Sequence, residues 1–109
     1  MLKIQIKPLS VNEVWQGQRF KTQKYKIYEQ EVFYSLPNID IPEGDLTIEL
    51  IFGISNMASD YDNMIKPFQD ILQKKYGFND NRIQEAKIKK VKTKKGEEFI
   101  EFKILPFKK

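Results

Sequence analysis

Asp60 and Asp62 stand at i and i+2, and in extended backbone that spacing points both carboxylates to one side. Asn63 and Lys66 follow within the next turn, and Asp80 returns later in the polar run Asn79-Asp80-Asn81. Three carboxylates converging beside one lysine suit a hard divalent cation such as Mg²⁺. That ion takes one or more carboxylates and completes its octahedron with waters and substrate phosphate. Each residue also has a plainer reading. Asp62 fits the cap of a helix, and Asp60 and Asp80 fit ordinary turns. Lys66 and Asp70, four apart, fit a surface ion pair worth less than about 1 kcal/mol.

The rest of the composition narrows the chemistry further. The 109 residues include no Cys and no His. A thiolate nucleophile, a thiolate zinc site, an imidazole base and a Ser-His-Asp triad are therefore all excluded. Catalysis, if present, must use carboxylates, lysines, hydroxyls and a metal held by oxygen. The five glycines stand apart from one another, so there is no phosphate-cradling loop and no dinucleotide fingerprint, and no nucleotide cofactor is expected. The net charge of +4 is unevenly spread. Residues 86–109 carry nine Lys against three Glu, which leaves ten basic and twelve acidic residues for the rest of the chain. A lysine-rich carboxy-terminal quarter reads either as a solvated pair of strands or as a surface that meets phosphate.

The elements that must position these residues follow from periodicity. Leu2, Ile4 and Ile6 alternate with polar residues as a strand that Pro8 ends. Leu9 to Thr22 has no clean period and reads as a loop. Tyr25, Tyr28, Val32 and Leu36 mark one face of a helix from Lys21 to about Leu36, stopped by Pro37. Leu46, Ile48, Leu50, Phe52 and Ile54 alternate as a strand, and Ile51 on the other face predicts that it is central and covered on both sides. A second helix is predicted from about Asp62 to Tyr76, with Gly77 just past its end. Pro67 is expected either in its first turn or dividing a leading turn from the main helix. Ile83 to Val91 and Ile100 to Ile104 read as two strands joined through Thr93-Lys94-Lys95-Gly96, a predicted hairpin. The order is β-α-β-α-β-β: one α+β domain over residues 1–109, a mixed sheet of about four strands covered by two helices. No window approaches 18 apolar residues and the amino terminus lacks a long apolar stretch, so neither a membrane span nor a signal peptide is expected, and the expected location is the cytoplasm.

The string Asp60-Tyr61-Asp62-Asn63-Met64-Ile65-Lys66, then Asp70-Ile71-Leu72, then Tyr76-Gly77-Phe78-Asn79-Asp80-Asn81-Arg82-Ile83 resembles the signature of the RusA family of Holliday junction resolvases. That signature is D-x-D-N-x-x-K, a helix with D-x-L, Gly with an apolar residue, and a final Asp before an apolar strand. Pro8-Leu9-Ser10-Val11-Asn12, with Trp15, Arg19 and Lys21, is similar to that family's amino-terminal loop. The likeness covers nearly the whole chain. It departs at the last acidic turn, where family members often show two adjacent acids and Asn79 here precedes Asp80.

The resemblance implies a homodimeric, Mg²⁺-dependent endonuclease that cuts four-way DNA junctions by symmetric paired nicks, with one or two ions per site. Asp60, Asp62 and Asp80 would be its metal-binding and catalytic carboxylates, with Lys66 catalytic beside them and Asn63 and Asp70 supporting. Asn12, Trp15, Arg19 and Lys21 in the early loop and Lys87, Lys89, Lys90 and Lys92 in the late strands would meet DNA. Strand alternation predicts that Lys87 and Lys89 share one face and Lys90 and Lys92 the other, so these lysines cannot all touch DNA at once. Two rival readings are a nuclease for other branched DNA and a DNA-binding module without catalysis. A third, plainer one is a small interaction protein that binds no nucleic acid.

Overall fold

The computed structural model describes residues 1–16 and 20–108. Its elements in chain order are β1 (Leu2–Ile4), a 3₁₀ turn (Val11–Glu13), β2 (Trp15–Gln16), β3 (Phe20–Lys21), α1 (Gln23–Ser35), β4 (Leu46–Ile54), α2 (Asp62–Tyr76), a second 3₁₀ turn (Asp80–Arg82), β5 (Ile83–Lys92) and β6 (Phe99–Pro106). The main sheet is mixed, with strand order β1-β6-β4-β5, and β2 and β3 pair separately. β6 runs antiparallel to both β1 and β4, while β5 runs parallel to β4. The fold is thus α+β, two helices over a four-stranded sheet.

Two parallel connections decide where the helices lie. β1 to β4 through α1 and β4 to β5 through α2 step in the same direction across the sheet. Right-handed crossovers then place both helices on one face. On that face Leu46, Ile48, Leu50, Phe52 and Ile54 of β4 are buried beside Ile100 and Phe102 of β6. Tyr25, Tyr28 and Val32 of α1 and Met64, Phe68, Ile71 and Leu72 of α2 close the core from above. The Phe68 and Phe102 rings meet edge-on at 5.7 Å. The opposite face is not covered by a helix. There Phe99 lies across Gly53, where a Cβ would come within 2.2 Å of the ring, so only glycine allows this packing.

Four expectations are corrected. The predicted hairpin of residues 83–91 with the returning strand does not form, because β5 and β6 lie on opposite edges of β4. β4 is central as expected but not covered on both sides, since Glu49 and Ile51 on the face without helices are only half-buried; a central strand still needs a partner on each edge, and flanking β4 satisfies its backbone where a local hairpin would leave one edge open. The segment read as a loop from Leu9 to Thr22 holds a 3₁₀ turn and the β2–β3 pair. Pro67 neither starts nor divides α2. It sits buried inside a continuous helix, at the cost of the bond its missing N–H would give to Asn63. Gly77 ends α2 as expected, at φ 71° with its N–H bonded to Gln73.

Candidate active site

Asp60, Asp62, Asn63 and Lys66 lie in the amino-terminal half of α2 and the loop that feeds it, whereas Asp80 follows the helix's other end. β4 ends at Ile54, and the chain turns through Ser55 to Asp60. Asn56 shapes that turn: its side-chain oxygen accepts from Ala58 N–H at 3.0 Å and its carbonyl from Ser59 N–H at 3.2 Å. Tyr61 opens α2 in helical backbone with no side-chain cap, so Asp62 is the first helical residue and not its cap. Asp60 and Asp62 are exposed, and neither forms a hydrogen bond or ion pair with a described residue. Among the described residues neither carboxylate is used by another group, but Tyr61 between them is helical, so the extended backbone in which i, i+2 carboxylates point to one side is not present here: Asp60 ends the loop and Asp62 opens α2.

Across from them lies the amino-terminal loop. Asp60 and Asn63 share a cleft of about 390 Å³ with Lys7, Ser10, Asn12 and Glu13. The loop is held by contacts that a Ser-x-x-Glu capping pattern makes legible, although the sequence reading did not use it. Ser10 Oγ accepts from Asn12 N–H at 3.2 Å, and Ser10 N–H donates to Glu13 at 3.2 Å. Glu13 also pairs with Lys24, and its carbonyl accepts from the Thr22 hydroxyl at 2.6 Å, which ties the loop to the first turn of α1. A smaller neighbouring pocket of about 170 Å³ brings Lys21 and Tyr25 next to Lys66 and Asp70. Lys21 Nζ lies 4.6 Å from the Tyr25 ring centre.

Asp62, Lys66 and Asp70 recur at every fourth residue and so share one face of α2. Lys66 Nζ donates to Asp70 at 2.9 Å, the ion pair expected from the spacing. Asp70 also accepts from Gln73 at 3.4 Å, and Gln73 accepts the Asp80 N–H at 2.9 Å. The Asp70 carboxylate, and behind it the Asp80 charge, raise the Lys66 pKa and keep it cationic. Asp80 nevertheless follows the far end of α2, a helix of 15 residues and about 22 Å. Among the described residues no three acidic side chains gather closely enough to hold a metal ion, so the single chain does not bring Asp60, Asp62 and Asp80 together. Along the chain Lys66 falls between two acidic poles, Asp60 and Asp62 before it and Asp70 and Asp80 after it, and only the latter two act on its charge.

The strand lysines separate as alternation predicts. Lys87 and Lys89 sit opposite Glu49 and Ile51 on the face without helices, whereas Lys90 and Lys92 sit opposite Phe52 and Ile54 on the helix-covered face. Lys90 Nζ donates to the Met57 and Ser59 carbonyls at 2.8 and 3.0 Å, and Lys92 donates to the Ser55 carbonyl. Both ammonium groups are thus engaged with the loop that leads to Asp60. Arg19 and the side chain of Trp15, expected to meet DNA, lie outside the described residues.

Two carboxylates fix the loops that border the cleft, and both are acid-sensitive. Burial pushes Glu13 up, but the Lys24 ammonium and the Ser10 N–H outweigh it and hold its pKa below 4.5. Glu98 is also lowered, by its own backbone N–H against burial, then by the Ser55 hydroxyl at 3.0 Å and the Gly96 N–H at 2.8 Å. A folded pKa below the unfolded one contributes stability above the unfolded value, and that stability is lost as pH falls through the folded one. Thermal melts of the wild type are therefore expected to fall as pH drops below the ordinary Glu pKa of about 4.3. The double variant Glu13→Gln, Glu98→Gln should melt lower near neutrality and follow a flatter acid limb. Parallel limbs for the two proteins would show that these carboxylates do not carry the dependence.

No helix among the described residues is long and apolar enough to cross a membrane. No family model and no curated protein matches the chain.

Proposed function

We propose that this chain is a Mg²⁺-dependent, structure-specific endodeoxyribonuclease that resolves four-way DNA junctions by paired symmetric nicks and works as a homodimer. The observation that carries the reading is the pair Asp60 and Asp62: two positions apart where the shaped loop after the central strand enters α2, both exposed and without partners among the described residues. Two like charges two positions apart in the chain are offset by a bound cation where their side chains turn to a common ligand. The donor set fits Mg²⁺, which is commonly held by one or two carboxylates with waters and substrate phosphate filling the remaining positions. When bound, one or two such ions would polarise the scissile phosphate and lower the pKa of the attacking water.

The chain's own residues have distinct tasks in this reading. Asp60 and Asp62 hold the ion, and Asn63, in the same cleft, orients a ligand or the phosphate. Lys66, kept cationic by Asp70 and Asp80, offers positive charge to the phosphate as negative charge grows on it in the transition state. Asp80 completes the acidic set when a second copy or a bound substrate brings the two poles together. Because acidic residues repel DNA, binding depends on a separate basic surface, and Lys87 and Lys89 on the open sheet face supply it. A four-way junction is two-fold symmetric, and a C2 dimer presents two equal sites to it.

The separation of Asp80 from Asp60 and Asp62 within one chain favours one rival, a DNA-binding module without catalysis. A single assay decides: wild type and Asp80→Asn on a mobile four-way junction, with and without Mg²⁺, beside three-way and linear duplex controls. The expected result is paired nicking by the wild type only with Mg²⁺, lost in the variant. Equal cutting of linear duplex overturns junction specificity, and binding without any cutting establishes the module.

A further inference from the structure

The residues of β5 on the helix side read Ala86, Ile88, Lys90, Lys92: Ala86 is exposed, Ile88 packs half-buried against the core, and lysines follow where an apolar residue would extend that contact. The reason lies above them. β4 runs on to Ile54, but α2 begins only at Asp62, and the end of the sheet is roofed by the loop from Ser55 to Asp60 rather than by a helix. Lysine answers both demands, with an apolar stem along the sheet and an ammonium group for the loop's backbone oxygens. Lys90 bridges two of them, the carbonyls of Met57 and Ser59, and Lys92 takes that of Ser55. The Ser59 carbonyl and the Asp60 N–H belong to one planar peptide unit, so a bond that orients the first orients the second and the Cα beyond it.

We propose that Lys90 is the positioning residue of the loop that presents Asp60, with Lys92 as its second anchor. The geometry stands alone; the consequence for Mg²⁺ rests on the nuclease reading. Besides Lys90, the hydrogen bonds of Ala58 and Ser59 to described residues go to Asn56, inside the same loop, and Met57 is tied by Lys90 alone among them. Without the ammonium, that segment keeps its internal turn but loses its tie to the sheet. The Asp60 carboxylate then samples more orientations, and the ion must order the loop on binding. Lys90 touches neither substrate nor ion and acts only through the loop.

Lys90→Met keeps the apolar stem and removes the donors, Lys90→Arg restores donors, and Lys87→Met, on the face assigned to DNA, is the contrast that should weaken junction binding while leaving loop exchange and Mg²⁺ affinity unchanged. Amide hydrogen exchange over residues 56–61, Mg²⁺ titration by calorimetry without DNA, junction binding against salt, and cleavage are read on all four proteins. In Lys90→Met, exchange across the loop is expected to rise and Mg²⁺ affinity to fall about 10–100-fold, the range for residues that orient ligands. Junction affinity and its salt slope should stay unchanged, and Lys90→Arg should recover most of the Mg²⁺ affinity. Unchanged exchange and Mg²⁺ affinity, with weaker junction binding and a salt slope smaller by about one, would overturn the proposal and make Lys90 a phosphate contact. If the wild type binds Mg²⁺ and cuts no branched DNA, the nuclease reading fails, while the exchange and titration still decide the role of Lys90. A wild type that binds no Mg²⁺ overturns the nuclease reading and the Mg²⁺ consequence, and loop exchange then decides the role of Lys90: a rise in Lys90→Met upholds it and no change overturns it.

Discussion

Asp62→Asn is expected to lower the Mg²⁺-dependent cleavage of a four-way junction by about a thousandfold while junction binding is retained or tightened. The factor is the upper range for removing one group that stabilises charge in a transition state, about 10²–10³. The substitution keeps the shape of the side chain and removes its charge. Because Asp62 has no bond to any described residue, the fold loses only the favourable placement of an acid in the first turn of α2, about 0.3–1 kcal/mol. Removing a negative charge from a surface that meets DNA reduces repulsion, hence the retained or tighter binding. Single-turnover cleavage with Mg²⁺ and gel-shift binding without it separate the two effects. A variant that cuts and binds like the wild type would remove Asp62 from the site and return the protein to the binding-module reading.

Phe68→Ala should cause the largest loss of stability. Phe68 is fully buried on α2 and meets the equally buried Phe102 of β6 edge-on, with 63° between the rings. Truncating such a ring costs about 3–5 kcal/mol, because the cavity left behind collapses only in part. Against a total of about 5–15 kcal/mol for a domain, that brings the protein near its threshold. At about 4–8 °C per kcal/mol for a chain slightly smaller than this one, the melting temperature should fall by roughly 15–30 °C. Urea unfolding should show a lower midpoint with an unchanged slope. The exposed Lys66–Asp70 pair on the same helix, worth less than about 1 kcal/mol, is the natural comparison. A loss for Phe68→Ala no larger than that would mean that α2 does not bear on the sheet through this ring.

The two predictions draw on different kinds of information. The two carboxylates were singled out by their i, i+2 spacing after an apolar strand, which is a local pattern; that the second of them is already helical, with no partner among the described residues, only the structure shows. Phe68 was legible as a core residue through its stripe with Ile65 and Ile71 or Leu72, but its meeting with Phe102 was not. The capping pair Ser10 and Glu13 was readable by spacing and went unused. Lys90 and Lys92 were assigned to opposite sides from Lys87 and Lys89 correctly. Their purpose depends on a loop 31 and 37 residues away along the chain, which periodicity does not register.

From the sequence alone come the α+β class, the extent of α2 from Asp62 to Tyr76, the central position of β4 and the exclusion of thiol and imidazole chemistry. All of these rest on residue types and on repeats shorter than a helix or strand, which local sterics and one-sided burial impose. Only the tertiary structure decided that β5 and β6 flank β4 instead of pairing, that Asp80 stands apart from Asp60 and Asp62 in the single chain, and that two lysines serve a loop. Each of these is a choice between distant partners. It is made by the burial of a whole strand and the satisfaction of its backbone against the entropy of closing long loops.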